Sequence, residues 1–384
     1  MREVELGEVA EIFGGYAFRS KDFKETPGIP VIKISNIQNG KVSEITLKEF
    51  LPENYLVEYD NYQINRGDIL VALSGATTGK TGIYKLERKS LLNQRVGLVR
   101  AKDGHADQKY LSYYVSKITD DILSKAQGVA QPNISTKELS KFEIPLPSLS
   151  EQKAIVAKLD RAQRLIDIDK KMLAKYDELI QSVFLEMFGD PVTNPKGWDK
   201  LPFKEIAEID KESFDPTNFQ GSVDYVGLNS IVKDSGKFID VKTIIEGYVK
   251  SNKYKFSPKH ILYGKLRPYL NKVAFPDFDG VCSTDILPIK QKEDISTKLF
   301  VGYLMKTDEF LAYADKNSSG ANLPRISPKM IKKFECILPP YDLQLKFDDL
   351  VYMIQKNERS TNGSLKKSEK LFSSLVQEAF SNDL

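Results

Sequence analysis

Residues 128–135 read GVAQPNIS and residues 320–327 read GANLPRIS, and this likeness is one point on a long internal duplication. Gly128 pairs with Gly320, Pro132 with Pro324, Ile134 with Ile326 and Ser135 with Ser327, at a constant offset of 192 (324 − 132). Downstream, FEIPLPSLSEQ (142–152) matches FECILPPYDLQ (334–344), and SVFLEMFGD (182–190) matches SLVQEAFSN (374–382). Upstream, GDILVALSG (67–75) lies over KHILYGKLR (259–267), while ELGEVAEI (5–12) resembles PFKEIAEI (202–209) at an offset of 197. A period this long is not that of a solenoid; it denotes two copies of one whole unit.

Both copies follow one plan. Short β-like runs come first: IPVIKIS (29–35), DILVAL (68–73) and RVGLVRA (95–101), against VDYVGLN (223–229), HILYGKL (260–266) and DILPIK (285–290). Gly, Pro and Asn turn signals separate them. A helical segment follows (110–126; 299–315), then the Gly/Pro/Asn loop, then a β-like run closed by prolines at 145, 147, 339 and 340. Proline cannot continue a strand ladder or a helix, so these mark the entry to a new element. The fold expected is α/β (mixed α+β).

That new element is a long helix. Residues 151–188 contain no Pro or Gly, and their apolar positions step by four and three: Ile155, Leu159, Ala162, Ile166, Leu173, Tyr176, Ile180, Val183 and Met187, interrupted by Asp169. This is a heptad seam. Ser150 is a plausible helix start but has Lys153, not Glu, three residues on, so it makes no full capping box. The second copy aligns Phe347, Val351, Ile354, Glu358, Thr361, Leu365, Ser368, Phe372, Leu375 and Ala379, with a polar middle and a weak Asn362-Gly363 step. The two helices are expected to pair antiparallel, with a bend or fray near Gly363. The pairing and partner-binding positions are Ile155, Leu159, Ile166, Leu173, Ile180, Phe347, Val351, Ile354, Leu365 and Phe372.

Composition narrows the chemistry. At 384 residues the chain has room for two or three domains, with 41% hydrophobic residues for sizeable cores. No apolar run approaches the ~20 residues of a membrane span, and the acid-bearing start MREVELGEVAEIF shows no export signal, so a cytoplasmic location is expected. Cys282 and Cys336 lack CxxC partners, and His105 and His260 stand alone, which argues against a zinc site, a disulfide framework or a catalytic triad. A net charge of +3 neither demands nor excludes nucleic acid.

SGATTGKTG (74–82) with LLNQRVGL (91–98), GKLRPYLNKVAF (264–275) with CSTDILPI (282–289), and IPLPSLSEQKAIVAKLD (144–160) resemble the specificity subunits of type I restriction-modification enzymes, in order and twice over nearly the whole chain. The resemblance implies a first target recognition domain (1–148), a central conserved helix (149–191), a second recognition domain (192–340) and a C-terminal conserved helix (341–384). It implies a pseudo-twofold arrangement in which each domain reads one half of a bipartite, asymmetric DNA target and the helices fix the gap. The implied partners are double-stranded DNA, two methyltransferase subunits and, through them, restriction subunits. Catalysis and cofactors (S-adenosylmethionine, ATP and magnesium) would belong to those partners, with no metal or cofactor bound by this chain. Base reading needs paired donors and acceptors on well-held loops. Gln94, Arg95, Gln131 and Asn133 have that chemistry in the first copy, and Lys265, Arg267, Asn322 and Arg325 in the second. Ser74, Thr77, Thr78, Lys80, Tyr269 and Lys272 suit phosphates.

Competing readings are weaker. GATTGKTG imitates a nucleotide-binding P-loop, but Ser74 stands where the first Gly must be and the next residues read as strand or turn. LPPYD (338–342) imitates the base-flipping motif of amino-methyltransferases, but Leu338 replaces the acceptor. Asp277, Asp279, Asp348 and Asp349 lack the acid-and-lysine spacing of a nuclease. A self-contained methyltransferase or nuclease, and a coiled-coil adaptor without DNA, remain the alternatives.

Overall fold

The computed structural model describes residues 2–25, 28–38, 40–42, 44–126, 132–216, 219–245 and 251–381. The chain forms two compact units: Met1–Ile168 with Ser364–Leu384, and Asp169–Gly363. The cut runs through both long helices, Leu149–Phe188 and Tyr341–Ala379, so each unit owns half of each. Among the described residues no helix is long and apolar enough to cross a membrane.

In the first unit a six-stranded sheet runs in the order Ala10–Gly14, Val96–Ala101, Ile69–Ala72, Thr81–Ile83, Gly40–Val42, Ile37–Gln38. Ile69–Ala72 is buried throughout because both sheet faces are covered. Side chains alternate across a strand. Ile69 and Val71 accordingly enter a core with Tyr110, Leu111, Val115 and the long helices. Leu70 enters another with Ile32, Leu92 and Leu98, beside a four-stranded sheet. The second unit repeats this division: Ile261 and Tyr263 face the helices, while Leu262 faces Val226, Phe256 and Cys282. A two-stranded ribbon opens and closes each unit, pairing Glu3–Glu5 with Glu143–Pro145 and Asp199–Pro202 with Glu335–Leu338. Glu5 opposes Glu143 as Pro202 opposes Glu335, which keeps the sequence offsets of 197 and 192 in the strand register.

The long helices begin alike. Ser148 caps the first: its Oγ accepts from Glu151 N (3.3 Å), and the Glu151 carboxylate accepts from Ser148 N (2.9 Å). The box therefore forms two residues before Ser150, the start expected from sequence. Gln152 is fully buried one turn on. Its Oε1 accepts from Asp107 N (2.8 Å), and its Nε2 donates to Pro147 O (2.9 Å). Gln344, equally buried, accepts from Thr297 N (2.9 Å) and donates to Pro339 O (2.9 Å) and Ile295 O (3.2 Å). Asp107 and Thr297 are the N-caps of the first helix after the sheet in their respective units.

In the second unit the helix halves pack antiparallel. Tyr176 Oη lies 3.0 Å from Thr361 Oγ1, and toward the other end Phe184 and Phe188 stack around Phe347 at 5.6 and 5.3 Å between ring centroids. Phe300 closes this aromatic knot against both. In the first unit Leu159, Val156, Phe372, Leu375, Val376, Ala379 and Phe380 share one core with the sheet helices, where Tyr110 meets Phe380 at 5.0 Å. Every seam position read from the C-terminal helix is buried or half-buried, including the polar Thr361 and Ser368. At the ends of the central helix the burial moves one residue on, to Val156, Phe184 and Phe188, from the expected Ile155, Val183 and Met187. Ile155, Val183 and Met187 remain half-buried beside them, so the buried face at each end is wider than a single seam.

The C-terminal helix is unbroken through Asn362-Gly363, contrary to the fray expected there. Packing on both sides outweighs a glycine penalty of about 1 kcal/mol. A Cβ at Gly363 would meet nothing within 4 Å. Gly363→Ala should therefore raise the unfolding free energy by about 0.5–1 kcal/mol, read as a shifted urea midpoint. Gln344→Ala strands three buried main-chain groups and should cost about 2–4 kcal/mol in the same assay.

Candidate nucleic-acid interface

The candidate readers sit on one loop frame, built twice from main-chain bonds. In the first unit Leu73 N donates to Arg95 O (2.9 Å), Gly75 N to Pro132 O (3.0 Å), and Ile134 N to Leu73 O (2.9 Å). In the second, Lys265 N donates to Asp285 O (2.9 Å), Arg267 N to Pro324 O (2.7 Å), and Ile326 N to Lys265 O (3.1 Å). Ser74 bridges Asn133 as Leu266 bridges Arg325. The turn closes with Ala72 N on Lys80 O (2.8 Å) and Gly264 N on Lys272 O (2.9 Å). Three segments distant in sequence thus meet: the turn (74–80; 266–272), the link by which the chain crosses from one sheet to the other (93–95; 283–285), and the post-helix loop (132–134; 324–326).

Each turn starts and ends in left-handed backbone. Gly75 (φ 87°) and Gly79 (φ 85°) do this in the first unit, Arg267 (φ 51°) and Asn271 (φ 47°) in the second. Glycine adopts this region freely and asparagine tolerates it, whereas other residues lose roughly 1–2 kcal/mol. Lys80 leads into the strand Thr81–Ile83, with no phosphate-capping helix after it.

The structure sorts the candidates by what their side chains already do. Lys80, Gln94, Arg95, Asn133, Arg267, Tyr269 and Asn322 are exposed, and Ser74 is half-exposed. Thr78 is buried instead, its hydroxyl donating to Gly75 O (2.7 Å) and lying 3.0 Å from Pro132 O, so it holds the frame. The Thr77 hydroxyl is buried with no hydrogen-bond partner. Arg325 forks onto Asp285 through Nε (2.9 Å) and Nη2 (3.3 Å), and Asp285 holds its guanidinium above the ordinary arginine range. Lys265 lies 4.0 Å from the same carboxylate; burial lowers its pKa and Asp285 partly offsets this. Lys272 donates to Leu228 O (2.5 Å), and burial lowers its pKa too. Gln131 lies outside the described residues.

Sequence reasoning passed over two contributors. Asp285 occupies the place that Arg95 holds in the first unit, and organises two cations. Tyr16, 38% exposed, is joined to the inter-sheet link by Tyr16 N to Leu92 O (2.9 Å) and Gln94 N to Tyr16 O (3.1 Å). Neither carried a repeat signal, since the two copies differ at both places.

The family model described as the type I restriction modification DNA specificity domain matches residues 1–175 and 195–347. The chain belongs to the type I restriction-modification specificity-subunit family. It is 25% identical over 308 residues to the specificity subunit of the type I restriction enzyme EcoDI of Escherichia coli, covering 70% of this chain and 68% of that one. It is 38% identical over 174 residues to the MjaVIII specificity subunit of Methanocaldococcus jannaschii, a match spanning 44% of this chain and 40% of the relative. With the EcoKI specificity subunit of E. coli it shares 25% over 397 residues, covering 93% and 82%. Among solved structures, the S subunit of a type I restriction-modification system from M. genitalium shares the fold at TM-score 0.51 and 14% identity, covering 100% of this chain and 96% of that one. A chain from a study of complex assembly and conformational transition in the type I system does so at TM-score 0.59 and 18% identity, covering 100% and 98%.

Within this specificity subunit the hydroxyls of adjacent threonines do opposite things. Thr78→Val should lower the unfolding free energy by about 1–2 kcal/mol, while Thr77→Val, which strips a buried unpaired hydroxyl, should leave it unchanged or higher. Denaturant unfolding of the two variants side by side checks the frame.

Proposed function

We propose that this specificity subunit reads a split, asymmetric DNA sequence, one half with each unit, and presents it to two modification subunits that methylate adenine. The observation that carries this reading is one main-chain frame built twice with different side chains on it. Gly75, Arg95 and Asn133 in the first unit stand where Arg267, Asp285 and Arg325 stand in the second. Like frames favour like docking, into a major groove, while unlike side chains read unlike half-sites. Helices of 40 and 39 residues, each on the order of 60 Å long, suit a spacer of set length.

Methyl transfer, and cleavage where restriction subunits join, would be performed by partner chains in the cytoplasm. Those chains would supply S-adenosylmethionine, ATP and magnesium, and this chain would contribute recognition only. Docking surface is available on the helices: Leu165, Ile168 and Leu371 are exposed in the first unit, and Met172, Leu179, Tyr352 and Met353 in the second. Apolar side chains exposed along a helix offer a partner helix a face to pack on.

Exchange of residues 192–340 for the matching segment of a relative, followed by mapping of methylated adenines in the host, tests the reading. One half of the target sequence should change and the other stay. Alteration of both halves, or methyl transfer by the purified chain alone, would refute it.

A further inference from the structure

Six non-glycine residues have positive φ among those described, and five are Asn or Asp: Asn194, Asp234, Asp240, Asn271 and Asp294. Their short side chains bond locally and tolerate the left-handed region. The sixth is Arg267, which has no such tolerance.

The frame does not require an arginine there. Its main-chain N–H donates to Pro324 O as that of Gly75 donates to Pro132 O, so a glycine would serve the turn equally well. Nor does the side chain hold anything together. It is exposed and makes no hydrogen bond or ion pair among the described residues. Three cations of the same frame are engaged: Arg325 and Lys265 on Asp285, Lys272 on Leu228 O. Asp285, satisfied by those two cations, leaves Arg267 without a carboxylate. Residues held in costly backbone cluster at sites of function.

We infer that Arg267 is the specificity-determining residue of the second unit, aimed by its left-handed backbone at a guanine in the half-site that this unit reads. The inference rests on the DNA-reading role proposed above. A guanidinium presents two parallel N–H donors in a rigid fork, which matches the O6 and N7 acceptors of guanine in the major groove. Proline at 268 fixes the chain immediately after it, so the direction in which the side chain leaves the backbone is set while its guanidinium is free to reach. The first unit has Gly75 at this place and must read its half-site from elsewhere on the frame, which makes the two halves chemically unlike.

The test compares the full-length chain with Arg267→Gly and Arg267→Gln, each assembled with its modification subunits. Binding is measured to the cognate duplex and to duplexes carrying every single base-pair change in either half. For the parent, one G·C pair in one half should be penalised on change to A·T. Both variants should bind the cognate duplex roughly 5- to 150-fold more weakly, the span of a bidentate arginine–guanine contact. The penalty at that one pair should vanish while all others persist, and Arg267→Gly should melt no lower than the parent. Three results would overturn the inference: affinity lost equally on all duplexes, which marks a phosphate contact; unchanged affinity; or a lower Tm for the glycine variant, which marks a structural arginine. A parent complex with no bipartite preference at all would instead overturn the DNA-reading role itself, so the two failures are distinguishable.

Discussion

A buried amide sets where each long helix leaves its unit. Gln152 and Gln344 are fully enclosed, and an enclosed amide is tolerable only when its donor and acceptor are both used. Each glutamine reaches in one direction to the main-chain N–H of the residue that caps the first sheet helix. In the other it reaches to the carbonyl of a proline just after the last strand. Three elements that meet nowhere else in sequence are thereby fixed to one side chain. The direction of the helix follows from that knot, and so does the depth at which its first turns enter the core.

From that root the helix supplies core to its own unit and then continues into the other. The first unit is completed by Phe372 and Phe380 from the far end of the C-terminal helix, and the second by Phe184 and Phe188 from the far end of the central one. Phenylalanines of this kind contribute on the order of 3–5 kcal/mol each. The first unit is therefore not a contiguous stretch of chain, and the second begins and ends inside a helix. A boundary drawn at residue 340 would leave the second unit without Phe347 and Val351.

Much of this was legible in the sequence, because duplication, strand alternation and heptad spacing are one-dimensional signals. Even the offsets of 197 and 192 reappear as strand register. The capping box was legible too, as Ser148-x-x-Glu151, two residues before the Ser150 start expected from sequence. The buried glutamines ended a matched block in both copies, yet a polar residue repeated in a sequence does not announce burial. Other features were beyond reach. Arg325 and Asp285 are 40 residues apart, so nothing along the chain says that one occupies the other. Left-handed backbone at Arg267 became visible only once the glycine-bearing turn of the first unit could be laid beside it.

The loop frame is held almost wholly by peptide groups, with Thr78 as its side-chain brace in the first unit. Arginine already replaces glycine on it, and aspartate replaces arginine, with the same bonds in place. Such a scaffold separates heritable preference from foldability. On the DNA-reading role proposed above, what either unit prefers can change by single codons while the main-chain bonds stay in place. Two copies of the frame then multiply the choices of one half by those of the other.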